Sequence, residues 1–210
     1  MLKVTLVPIL EDNYSYIIKL GDDVGIIDPG EAKPILDKLK KLELTPNYIF
    51  NTHHHYDHIN GNEEIRNSFP DIELIGPAGK SSRIHNIDIK VNQNSDLTFG
   101  SEKINVIETK GHTQGHICFH FPQSNILFSG DTLFAMGCGR LFEGTPEQMY
   151  KSLQKIAALP DDTYIYCAHE YTLANGAFAC AAFPNNSKIQ KALRNATTTR
   201  GHDRPTVPTI

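Results

Sequence analysis

Residues 51–62 read NTHHHYDHINGN, with four histidines and an aspartate inside the six positions from His53 to His58. Taken by spacing the motif is HxHxDH: His53, His55, Asp57 and His58. It directly follows the apolar run YIF, residues 48–50. An extended backbone sends alternate side chains to one face, so His53, His55 and Asp57 converge while the chain stays extended. A turn after the strand brings His58 beside them, and His54 points the other way.

The other strand-like runs end in the same manner. INVIETKG leads to His112, NILFSG to Asp131 and TYIYCA to His169. Strands lying side by side would gather these ends on one rim, a usual location for a site in a layered α/β protein. Seven donors then compete for metal: His53, His55, Asp57, His58, His112, Asp131 and His169. A catalytic zinc takes about three protein ligands and keeps one position open, so seven are too many for one ion. Two ions with three private ligands each and one shared carboxylate account for all of them, which defines a two-metal hydrolytic site. The nitrogen and oxygen donors suit zinc, and also manganese or iron. His85, His120 and His202 belong to no motif, and His116, after GHTQG, reads as a residue behind the ligands.

Around these motifs the chain alternates between two periodicities. VTLVPI, YSYIIKL and VGIID read as a strand meander broken by EDN and GDD turns, and strand-like runs return at 48–50, 73–75, 104–107, 117–121, 126–128 and 164–166. Residues 31–42 place Ile35, Leu36, Leu39 and Leu42 on one helical face; further helical patterns span 61–69 and 146–159, the second with Pro146 in its first turn. After Tyr171 the Ala-rich TLANGAFACAAF and SKIQKALRNA look helical, so a layered α/β body carries a C-terminal helical piece.

The composition narrows the classes further. The 210 residues suit one substantial domain with a small appendage, and 40% hydrophobic content supports a packed core. A net charge of -4 gives no electrostatic reason to expect nucleic acid, and the one basic run, Lys38, Lys40 and Lys41, reads as the solvated face of an amphipathic helix. Four scattered cysteines without a CxxC pair suit a reducing compartment. No stretch nears the roughly 18 apolar residues of a membrane span, and MLKVTLVPILEDN lacks signal-peptide features. A cytoplasmic monomer is the expectation.

THHHYDH, GHT, SGDTLF and AHEYT resemble the metallo-β-lactamase superfamily. Within it, GCGRLFEGT and CAHEYTLAN are similar to the glutathione thioesterases known as glyoxalase II or hydroxyacylglutathione hydrolase, over residues 1 to about 183. The resemblance implies a four-layer αββα sandwich, with a catalytic domain over 1–172 and a helical substrate-binding segment over 173–210, shorter than in the family. It implies that His53, His55 and His112 hold one ion, that Asp57, His58 and His169 hold the other, and that Asp131 bridges them. Asp28 in IIDPG and Cys138 in GCG fall behind the ligands, while Arg140 and Tyr171 match positions that contact glutathione. Phe142 stands where the family often carries tyrosine, one hydroxyl fewer for the substrate.

The implied reaction is hydrolysis of S-(2-hydroxyacyl)glutathione, such as S-lactoylglutathione, to a 2-hydroxy acid and glutathione. This is the second step of methylglyoxal detoxification, and the nucleophile is a hydroxide bridging two divalent ions. The leaving thiolate derives from a thiol of pKa near 8.5 and departs without a strong general acid. Three competing readings are a persulfide dioxygenase with a single iron, a nuclease or lactamase on the same fold, and a metal-binding scaffold without turnover. His169 argues against the first and the full ligand set against the last.

Overall fold

The computed structural model describes residues 1–79 and 81–209. One sheet runs β1 (Lys3–Ile9), β2 (Asn13–Leu20), β3 (Asp23–Ile27), β4 (Tyr48–Phe50), β5 (Glu73–Pro77) and β6 (Ile89–Val91), in that spatial order. The first three strands are antiparallel and the last four parallel. The second sheet is ordered β13 (Tyr164–Cys167), β10 (Ile126–Gly130), β9 (Ile117–Phe121), β8 (Glu102–Glu108) and β7 (Leu97–Phe99). A small hairpin, β11 (Leu133–Phe134) with β12 (Gly137–Cys138), stands apart.

Side-chain alternation produces the layers. On β2, Tyr16 and Ile18 face the second sheet while Ile17 faces outward; on β4, Phe50 faces inward and Ile49 outward. The second sheet mirrors this, with Phe119, Phe121 and Phe128 in the central core and Cys118 and Leu127 on the outer face. Period-two strands with both faces apolar are what a sheet covered on both sides requires. Helix α1 (Ala32–Leu42) buries Ile35 and Leu39 on the outer face of the first sheet, where Ile65 of α3 (Asn62–Ser68) joins them. Helix α4 (Pro146–Ala157) covers the second sheet through Ile156, its start fixed by a capping box between Thr145 and Gln148. The architecture is the expected αββα sandwich. Edge-to-face contacts such as Phe50 on Phe119, with centroids 5.3 Å apart, bind the two sheets.

Two further helices, α5 (Thr172–Ala182) and α6 (Ser187–Arg200), pack on each other, with Asn186 capping the second through the Lys188 and Ile189 amides. Thr209 then pairs with Ile165 beside β13. Strands β6, β7, β11 and β12 are not visible in the hydrophobic pattern, because two or three residues are too few to display a period. Among the described residues, no helix is long and apolar enough to cross a membrane.

Candidate metal centre

Strand polarity explains why the donors meet. Strands β3 and β4 are parallel, as are β10 and β13, and β8 runs with β10 because both are antiparallel to β9. The residues after these strands therefore collect on one edge: Asp28 after β3, the histidine motif after β4, His112 after β8, Asp131 after β10 and His169 after β13. The motif itself does not stay extended as anticipated. From Tyr56 it turns into the short helix α2 (Tyr56–Ile59), which carries Asp57 away from His53 and His55. Two groups of donors result, one of His53, His55, His112 and Asp131, the other of Asp57, His58 and His169.

In the first group His55 Nδ1 stands 3.0 Å from His53 Nε2 and 2.9 Å from His112 Nε2, and His112 Nε2 lies 3.2 Å from Asp131 Oδ2. The other oxygen of Asp131, Oδ1, is 3.4 Å from both His58 Nε2 and His169 Nε2. Asp57 Oδ2 completes the second group, 3.5 Å from His58 Nε2 and 3.3 Å from His169 Nε2. Asp131 thus offers one oxygen to each group. Donors held at 2.0–2.1 Å around a tetrahedral ion stand roughly 3.4 Å from one another, so these spacings fit. Two buried atoms, His58 Nε2 and Asp131 Oδ1, have no hydrogen-bond partner. A divalent cation held by these side chains would offset what is otherwise an uncompensated cost.

Hydrogen bonds behind the rings set the tautomers. A carbonyl or carboxylate only accepts, so His112 Nδ1–H donates to the Arg140 carbonyl at 2.8 Å, His58 Nδ1–H to Asp28 at 3.1 Å and His169 Nδ1–H to Asp12 at 2.9 Å. The Thr52 hydroxyl donates to Asp28 at 2.7 Å and so accepts from His53 Nδ1–H at 3.0 Å. In all four rings it is Nε2 that faces the centre, and the hydrogen bond behind each ring is the arrangement that raises ligand basicity. Asp28 serves two ligands at once and takes a positive φ of 47°, an uncommon backbone state for aspartate.

Charges follow from the same geometry. Burial pushes His53 well below its ordinary value and His55 down to about 4, so both rings are neutral donors. Burial also opposes the charged forms of His58 and His169, but Asp131 with Asp28 or Asp57 outweighs it, raising His58 well above its ordinary range and His169 to about 10. Both shifts favour the protonated rings in the metal-free chain, so a cation entering this half competes with protons. Uptake at this half is expected to release protons and to strengthen as pH rises above neutrality, because both raised rings must give up a proton to bind an ion. Calorimetric zinc titrations in two buffers of different ionisation enthalpy read the proton count directly. Release of none would refute the assignment.

The remaining predicted residues fall as follows. His116 is enclosed, accepting the Asp131 N–H at 3.0 Å and stacking on His53, so it orients the Asp131 backbone. His54 turns from the ligands toward Glu143. Arg140, Phe142 and Tyr171 line the mouth of a cavity of about 590 Å³ above the donors. Phe142 sets its edge against His55 and His112, and Tyr171 stacks on His169 with centroids 4.6 Å apart. Cys138 departs from expectation. It is exposed on β12, whose sole strand partner is β11, and it makes no hydrogen bond to a candidate ligand among the described residues. Sequence reasoning passed over Asp12, Thr52 and Asn13, whose amide donates to Asp57 at 2.8 Å. Asp12 and Asn13 belong to EDN, which as a sequence carries only a turn signal, and Asp12 meets His169 from 157 positions away.

The sandwich and its rim of histidine and aspartate donors define a metal-dependent hydrolase of the metallo-beta-lactamase superfamily, whose model matches residues 9–169. The model for the hydroxyacylglutathione hydrolase C-terminus matches residues 170–210. The chain belongs to the hydroxyacylglutathione hydrolase family. A hydroxyacylglutathione hydrolase of Maricaulis maris is 44% identical over 204 residues, covering 96% of this chain and 79% of that protein. One of Mesorhizobium japonicum is 44% identical over 201 residues, covering 94% and 78%. Among solved structures, the B3 metallo-beta-lactamase BLEG-1 superposes with a TM-score of 0.70 at 28% identity, covering 80% of this chain and 91% of that one. ETHE1 from Myxococcus xanthus gives 0.69 at 26%, covering 81% and 76%.

Proposed function

We propose that this chain hydrolyses S-(2-hydroxyacyl)glutathione thioesters to a 2-hydroxy acid and glutathione. The observation that carries this reading is Asp131, one oxygen facing each donor group, on the floor of a cavity whose rim bears Arg140. Two divalent ions held by the seven side chains, zinc foremost with iron or manganese compatible, would supply Lewis acidity and bring the pKa of water toward about 7. The protein supplies placement. His53, His55 and His112 enter as neutral donors, and Asn13 holds Asp57 in orientation.

Arg140 is exposed at the rim and stands 5.7 Å over the Phe142 ring, available to a carboxylate of the glutathione moiety through its planar fork. Burial and nearby carboxylates push Tyr171 up to about 12, so its hydroxyl remains a donor across the physiological range. No side-chain acid is required, since a thiolate leaves readily. Residues 1–172 act as the catalytic body and 173–210 as the substrate-binding segment. Four free cysteines suit a reducing, cytoplasmic setting, and the protein works as a monomer without nucleic acid or membrane partners.

The test is kcat/KM of the zinc-loaded chain on S-lactoylglutathione. Robust turnover supports the reading; none, with two ions bound, refutes it. Arg140→Ala is expected to raise KM by about tenfold while kcat stays within a few-fold, because the lost contact serves ground state and transition state alike. A collapse of kcat alone would show that Arg140 acts on the chemistry instead.

A further inference from the structure

Glu143 follows the rim residues Arg140 and Phe142, and neither motif spacing nor metal geometry assigns it a role. Its side chain is 22% exposed. Oε2 accepts the Gln114 backbone N–H at 2.8 Å, while Oε1 pairs with the Arg83 guanidinium and stands 3.5 Å from His54 Nε2. Its carbonyl accepts from Gln114 Nε2 at 3.0 Å, and that amide also reaches Gln148, the residue that closes the cap of α4. Glu143 therefore joins three segments directly, the histidine motif, the turn after His112 and the loop holding Arg83, and through Gln114 it is linked to the start of α4.

The same stretch is laced to the ligand-bearing turn by backbone. Phe142 N–H donates to the His112 carbonyl at 3.3 Å, and Gly144 N–H to the Gly111 carbonyl at 2.9 Å. These two bonds run to Gly111 and His112, and neither reaches the histidine motif. Glu143 alone in this stretch reaches both His54 and Gln114 through its side chain. We propose that Glu143 is a positioning residue for the glutathione-binding rim, setting where Arg140 and Phe142 stand relative to the metal ligands.

This rests on the thioesterase reading. Arg83 is 56% exposed, so the ion pair itself adds little to stability. The consequence appears in substrate binding, because small displacements of positioning groups are costly there.

The experiment compares Glu143→Ala and Glu143→Gln with the zinc-loaded wild-type chain. It measures kcat and KM on S-lactoylglutathione, calorimetric Kd for glutathione, and metal content. For Glu143→Ala, KM and the glutathione Kd are expected to rise together by about tenfold, with kcat within about threefold and both ions retained. Glu143→Gln should recover part of the loss, since its amide oxygen still accepts the Gln114 N–H. Unchanged KM and Kd, a fall in kcat alone, or loss of metal would overturn the positioning role. A wild-type chain that neither turns over nor binds glutathione would overturn the thioesterase reading and this inference together, so the two failures are separable.

Discussion

Asp131→Ala is expected to retain neither ion at stoichiometric strength and to lose at least about 10³-fold in kcat/KM, the scale set by removing several kcal/mol of charge stabilisation. The reason is the division of labour within one carboxylate. Oδ2 sits 3.2 Å from His112 Nε2 and Oδ1 sits 3.4 Å from both His58 and His169 Nε2, so one truncation strips a donor from each group. It also takes away the anion that raises His58 and His169, leaving Asp28 as the buried carboxylate beside His58. Asp131→Asn separates the two effects, since it keeps the shape and a carbonyl donor but removes the charge. Metal content after dialysis, read by atomic absorption beside kcat/KM, decides. Two full equivalents on the alanine variant would sink the shared-ligand assignment.

Gly139→Ala is expected to lower kcat/KM by on the order of 10²-fold and reduce metal content, although residue 139 is no ligand, because misplacing reacting groups by about 1 Å costs that much. A Cβ there would lie 1.9 Å from the Asp131 carbonyl oxygen and 3.0 Å from His112 Nδ1. The first contact is with backbone, so no rotamer relieves it; either the β11–β12 hairpin or the turn carrying Asp131 must move. Gly30 is its counterpart on the other group, where a Cβ would fall 1.8 Å from the Asp57 carbonyl. Metal content and thermal melting of Gly139→Ala read the displacement. A variant that binds two ions and melts like the wild type would show that the turn yields without cost.

Much of the site could be read before any fold was known. The seven donors are recognisable because each is a ligand-type residue placed just after a strand-like run, and both the residue type and the run are local properties. Asp28, the last residue of VGIID, is singled out by the family resemblance and not by spacing. What spacing misjudged was the grouping. Alternation puts Asp57 with His53 and His55 only on an extended backbone, and α2, beginning at Tyr56, delivers it instead to His58 and His169, the grouping the family resemblance implies. Cys138 was misplaced for a similar reason, since its membership of GCG says nothing about which way a two-residue strand on a small hairpin faces.

The identity of the donors, the strand periodicity and the apolar faces of α1 and α4 are written in the order of residues, because hydrophobic period and ligand chemistry act over a few positions. The sharing of Asp131, the tautomers imposed by Asp12, Asp28 and Thr52, and the glycine contacts at 30 and 139 arise only when distant segments meet. Asp12 lies 157 positions from the ring it orients. No local preference encodes such a contact. It exists because two sheets close on a common core of phenylalanine and tyrosine and bring their strand ends to one edge.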